Sequence, residues 1–108
     1  MRLVRIHAAA AEEAAEAAAW YERERPGLGV DFERAVDAAL DLLEEEVLPL
    51  ISVPGTAGTR GVKRLLLRRF PYAVIVREGA AEVIVVAFAH TARRPGYWRG
   101  RLKRETGV

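Results

Sequence analysis

The sequence contains no cysteine. Disulfides and cysteine-based zinc sites are therefore excluded, and a reducing compartment suits the chain. Histidine is scarce too. His7 and His90 stand near opposite ends of the sequence, so a metal site would have to come mostly from carboxylates, and none is expected. No stretch approaches the roughly 18 apolar residues that a membrane span needs. The N-terminal "MRLVRIHAAAAEEAAEAAAW" does not read as a secretory signal, because Arg5, His7, Glu12, Glu13 and Glu16 interrupt its apolar run. A cytoplasmic protein is expected, with no membrane partner. Nucleophile motifs, phosphate-binding glycine fingerprints, His-Glu metal pairs and convincing paired carboxylates are all missing. No cofactor is expected.

What is present is one domain's worth of chain, 108 residues with about half of them apolar. Net charge is only +2, but it is unevenly spread. Residues 1–59 carry 5 Lys or Arg against 12 Asp or Glu, and residues 60–108 carry 12 against 3. Such asymmetry fits a basic face that meets nucleic acid or an acidic protein. It fits equally well acidic helices packed near a basic sheet.

"RLVRIH" alternates like a short strand. Residues 8–25, rich in Ala and Glu, form a helix, with Ala14, Ala18 and Tyr21 at helical spacing. Pro26-Gly27 ends it. A second helix begins near Asp31 as N-cap. Phe32, Val36, Ala39, Leu43 and Val47 make its apolar stripe. "LPLISVPGTAGTRG" reads as a loop. Three strands follow. In "VKRLLLRRF", Leu65 and Leu67 share one face, Leu66 and Phe70 the other. "YAVIVRE" and "AEVIVVAFAH" form a hairpin across Glu78-Gly79-Ala80-Ala81. The last strand is apolar on both faces, as a covered central strand would be. The order β-α-α-β-β-β gives an α+β fold: an N-terminal strand, then an antiparallel helical hairpin packed on a mainly antiparallel sheet. The sheet's second face needs cover, which a partner protein would supply.

The residues left for chemistry cluster after the last strand: His90, Arg93, Arg94, Tyr97, Trp98, Arg99 and Arg101. Arg64, Arg68 and Arg69 join them across the sheet. Arginines hold phosphates, His90 or Tyr97 moves a proton, and Tyr97 or Trp98 stacks on a base. The competing structural reading makes His90 a hydrogen-bonded strand end. It makes "PGYW" a turn that tucks Tyr97 and Trp98 onto the core.

Three blocks, "AAAWYERERPGLGVDFERAVDAAL" (17–40), "RRFPYAVIV" (68–76) and "VIVVAFAHTARRPGYWRGR" (83–101), resemble in order and spacing the RelE/ParE superfamily of toxins from type II toxin–antitoxin modules. The resemblance covers nearly the whole chain, 1–108. It implies a cognate antitoxin that wraps the toxin in a hetero-oligomer, with operator DNA bound only through the antitoxin. RelE-like members cleave mRNA on the ribosome, and ParE-like members poison DNA gyrase. Tyr72 is followed by Ala73 rather than a basic residue, and the last strand runs into His90-Thr91. Only Tyr97 sits where a RelE-like C-terminal tyrosine would, while Lys63 and Arg64 stand in for helix-end lysines. These departures favour gyrase inhibition, in which no residue is catalytic. In the endoribonuclease alternative, His90 or Tyr97 is the acid or base and Arg64, Arg68, Arg93 and Arg94 hold the backbone. A degenerate, non-toxic member that only binds an antitoxin stays open as a third class.

Overall fold

In the computed structural model, residues 2–45, 50–53 and 61–106 are described, apart from the side chains of Ser52 and of residues 103–106. The order is β1 (Leu3–Ile6), α1 (Ala8–Glu24), α2 (Leu28–Glu45), β2 (Ile51–Ser52), β3 (Val62–Leu66), β4 (Tyr72–Glu78), β5 (Glu82–His90) and α3 (Arg99–Thr106). The strands form one sheet in the order β1-β5-β4-β3-β2. β1 runs parallel to β5, and every other pair is antiparallel. The expected α+β architecture is therefore present.

His7 starts α1. Its Nδ1 accepts the N–H of Ala9, satisfying a donor that the first helical turn leaves open. Alanines line the inner face of α1, so α2 packs close. Gly29 marks the tightest point, where a Cβ would meet the carbonyl oxygen of Ala18 at 2.6 Å. The second helix begins at Leu28, three residues before the expected start. Its cap is Glu22 of α1 rather than Asp31. The Glu22 carboxylate accepts the N–H groups of Gly27 and Gly29 at 3.0–3.1 Å. Asp31 lies inside the first turn, where its charge still suits the helix dipole.

Phe32, Val36, Ala39 and Leu43 are buried as their spacing predicts, and Val47 lies outside the described residues. With Val74, Val76, Val83, Val85 and Phe88 they make the helix-side core. Phe70 belongs to this core together with Leu65 and Leu67, not to the face of Leu66. The reason is that β3 ends at Leu66 and the chain turns, with Arg69 at φ +71°. Leu66 remains 55% exposed on the opposite face.

Two elements were not anticipated. Ile51–Ser52 pairs with Arg64 and Lys63, making a short edge strand inside the expected loop. Residues 54–60 of that loop lie outside the described residues. After "PGYW" the chain forms α3, which returns across the sheet's second face. Trp98 and Leu102 are buried there against Val86, Ala87 and Ala89. Part of the cover expected from a partner protein thus comes from the chain itself. The register of β4 on β5 skips Val86, a β-bulge between the pairs Ile75–Ala87 and Val76–Val85.

Candidate functional site

On the second face of the sheet lies an open cleft of about 290 Å³. Ala73, Ile75, Ala89 and Val53 contribute apolar surface to it. Leu66 and Arg64 of β3 line it, as do Tyr97, Trp98 and Arg99 from the C-terminal segment. His90, Arg93 and Arg94 complete the lining after β5. Seven of the ten sequence-predicted site residues therefore meet around one cleft. Arg68 and Arg69 sit in the β3–β4 turn. That turn is tied to the end of β5 by the Thr91 N–H donating to the Pro71 carbonyl at 2.8 Å. Arg101 is drawn elsewhere.

The organising group is Glu13, which was not predicted. Its carboxylate is nearly buried, at 11% exposure. Oε1 accepts the backbone N–H of Phe88 at 3.0 Å and Arg101 Nη1 at 2.9 Å. Oε2 accepts the Tyr97 hydroxyl at 2.6 Å and Arg101 Nη2 at 3.1 Å, with Arg93 Nη1 at 3.5 Å. Arg101 also donates to the Val86 carbonyl at 3.0 Å. β1 pairs with β5 only as far as Val85. Beyond that point, Glu13 and Arg101 supply partners that a neighbouring strand would otherwise give, which answers the need to pair buried backbone groups. Sequence did hold a signal. Ala10, Ala14, Ala17, Ala18 and Tyr21 follow helical spacing, and Glu13 falls inside that stripe. An acid in a buried stripe requires a charged partner.

Burial, and then the hydrogen bond to Glu13, push the Tyr97 hydroxyl well above the ordinary tyrosine value. The Arg93 guanidinium stacks over the Tyr97 ring at 3.7 Å. A phenol held protonated and donating to a carboxylate is poorly set to take or release a proton near neutral pH. His90 is exposed. Its Nδ1 accepts the N–H of Ala92 at 3.0 Å, and its ring meets Tyr72 edge-on at 5.1 Å. Trp98 is 5% exposed and packs as core, as the turn reading of "PGYW" expected. Gly96, at φ +81°, makes that turn, and a Cβ there would press on the Arg99 guanidinium at 3.0 Å.

Arg64, Arg68, Arg94 and Arg99 are exposed and make no ion pair among the described residues. Arg69 is loosely paired with Asp31, at 3.8 Å. No group of three His, Asp or Glu among the described residues converges to hold a metal ion. No described helix is long and apolar enough to cross a membrane.

No protein-family model matches the chain, and no curated protein matches its sequence. A solved structure does match: a chain from "Chromosomal ParDE TA system from P. aeruginosa" aligns with a TM-score of 0.69. The alignment covers 83% of this chain and 96% of that one, at 15% identity. The two chains share a fold. Identity this low carries the architecture and leaves chemistry to be argued from this chain's own residues.

Proposed function

We propose that this protein is the toxin of a type II toxin–antitoxin module, neutralised by a cognate antitoxin, and that it acts by binding DNA gyrase. Support for the toxin reading comes from the fold shared with a chain of a ParDE system and from the three sequence blocks quoted above. The choice of target rests on one observation. Tyr97, one of the two proton-transfer candidates, is engaged by Glu13 and covered by Arg93. What the cleft offers instead is apolar surface rimmed by unpaired arginines, which is the equipment of a binding face. An acidic antitoxin segment suits the same basic half of the chain. Its occupation of the cleft would complete the cover that Trp98 and Leu102 begin.

Exposed His90 at the cleft's edge favours a second reading, the ribosome-dependent mRNA endoribonuclease. The experiment is a supercoiling assay with purified gyrase, relaxed plasmid and ATP, titrated with antitoxin-free protein. The gyrase reading expects loss of supercoiling with trapped cleaved DNA, retained in Tyr97→Phe and His90→Ala. Unimpaired supercoiling by folded protein that arrests growth would move the assignment to mRNA. His90→Ala should then lower the cleavage rate by about 10²–10⁴-fold. Failure to arrest growth at all would leave the degenerate member.

A further inference from the structure

A hollow of about 480 Å³ lies on the helix side of the sheet, between α1 and α2. It stays open because the residues of α1 that line it are alanines. Ala11, Ala14 and Ala15 are too small to fill the space up to Val36 and Leu40 of α2. Ile6, at the end of β1, also lines it and is 42% exposed. Ala11 and Ala15 are exposed as well, and Leu40 is only half-buried. Apolar surface gathered in one hollow is unfavourable to leave in water, and with a polar rim it marks a docking site.

The rim here is acidic. Glu33 and Asp37 line the hollow and stand one helical turn apart on α2. Both are exposed, and neither forms an ion pair among the described residues. By contrast, Asp31, Glu78 and Glu82 each meet an arginine. No Lys or Arg among the described residues lines the hollow. α1 carries 5 acids and a single arginine, and α2 carries 6 acids and a single arginine. The field over the hollow is therefore negative, and it selects a cationic partner.

We propose that this hollow docks a basic amphipathic helix of a partner protein. Apolar side chains one turn apart on that helix fill the space over the alanines, and Lys or Arg beside them meets Glu33 and Asp37. Residues 33–40 of α2 span about 10 Å, room for two turns of a guest helix laid in the groove. An isologous dimer through this face would set Glu33 and Asp37 of one copy against those of the other, so a second copy is disfavoured. An acidic segment, which suits the basic cleft, is repelled here by like charge. The inference is independent of the gyrase reading. The hollow and the cleft lie on opposite faces of the sheet, and the test needs only this protein and a peptide.

The test is fluorescence anisotropy of a labelled helical peptide of about three turns, with leucines one turn apart between lysines, titrated with the free protein. A peptide with glutamate in place of each lysine and a scrambled lysine peptide are the comparisons. The lysine peptide should bind saturably and about tenfold or more tighter than either, and its affinity should fall with salt. Glu33→Lys with Asp37→Lys should weaken it about tenfold or more, because two attractions become repulsions. Ala15→Phe fills the hollow and should weaken it roughly fivefold or more. Glu24→Lys with Glu45→Lys makes the same charge change at exposed sites outside the hollow and should alter affinity by about twofold or less. Circular dichroism and the urea midpoint check the fold of each variant. No saturable binding by the folded wild-type protein overturns the proposal. Equal affinity for the glutamate or scrambled peptide does so too. So do equal losses in the two charge-reversed pairs, which would mark attraction to net charge alone. Self-association of the free protein that Ala15→Phe abolishes would assign the face to a second copy and likewise overturn it.

Discussion

The two faces of the sheet are built on different terms. On the helix side, Tyr21, Phe32, Phe70 and Tyr72, whose rings pack at 4.9–6.3 Å, lie above a floor of valines from β4 and β5, beside a shallow hollow of about 480 Å³ lined by α1 and α2. The second face has less cover. Trp98, Leu102 and Val53 shelter part of it, and an open cleft takes the rest. The segment carrying Trp98 is held largely by one carboxylate, Glu13, reaching from α1 to the edge of β5. The aromatic cluster on the helix side keeps the fold. The thinly covered face can be spared for binding, because its local stability depends on few groups.

Breaking the helix side should cost most. Phe32→Ala removes a fully buried ring and should lower stability by about 3–5 kcal/mol in urea unfolding. On the second face, Trp98→Ala should cost no more than about 3 kcal/mol, because the cleft leaves that ring slightly exposed, whereas Phe32 is fully buried although a hollow of about 480 Å³ also reaches it. Equal losses would refute the asymmetry. Glu13→Gln leaves Arg101 without its charge partner and should cost about 2–3 kcal/mol, less than a fully buried pair would. The loss should appear as early hydrogen exchange at Phe88 and in residues 97–102, with the helix-side core still protected.

Alkaline titration sharpens the same point. Burial and Glu13 raise the Tyr97 pKa above the ordinary value of 10.0. As pH rises past that value the unfolded chain ionises before the folded one, so this contribution to stability is whole below 10 and is lost above it. In Glu13→Gln the phenolate absorbance of Tyr97 should move back toward the ordinary range, and the alkaline loss should shrink. The smallest expected effect is at the cleft wall. Leu66→Ala, at an exposed site, should shift stability by only about 0.5 kcal/mol or less. Its consequence should appear in partner binding instead.

Much of the fold could be read from local pattern. The alanine-rich helix, the stripe from Phe32 to Leu43 and the hairpin around Gly79 follow from periodicity and turn chemistry alone. The two-sided apolar pattern of β5 correctly demanded cover on both faces. The start of α2 was misplaced because its cap, Glu22, lies on the preceding helix, and Asp31 is the only nearby acid a local reading would choose. Phe70 was put on the wrong face because alternation holds only while a strand continues, and Arg69 ends it with a positive φ. The residues that line the cleft were largely legible as a list, but their contacts were not. Sequence alone determined that basic and aromatic residues follow the last strand, since composition and order need no third dimension. Only the tertiary structure decided that Glu13 claims Tyr97 and Arg101 and that Trp98 is core. The first depends on where the end of β1 leaves the edge of β5 unpaired and the second on how α3 returns across the sheet, and no local sequence window contains that information.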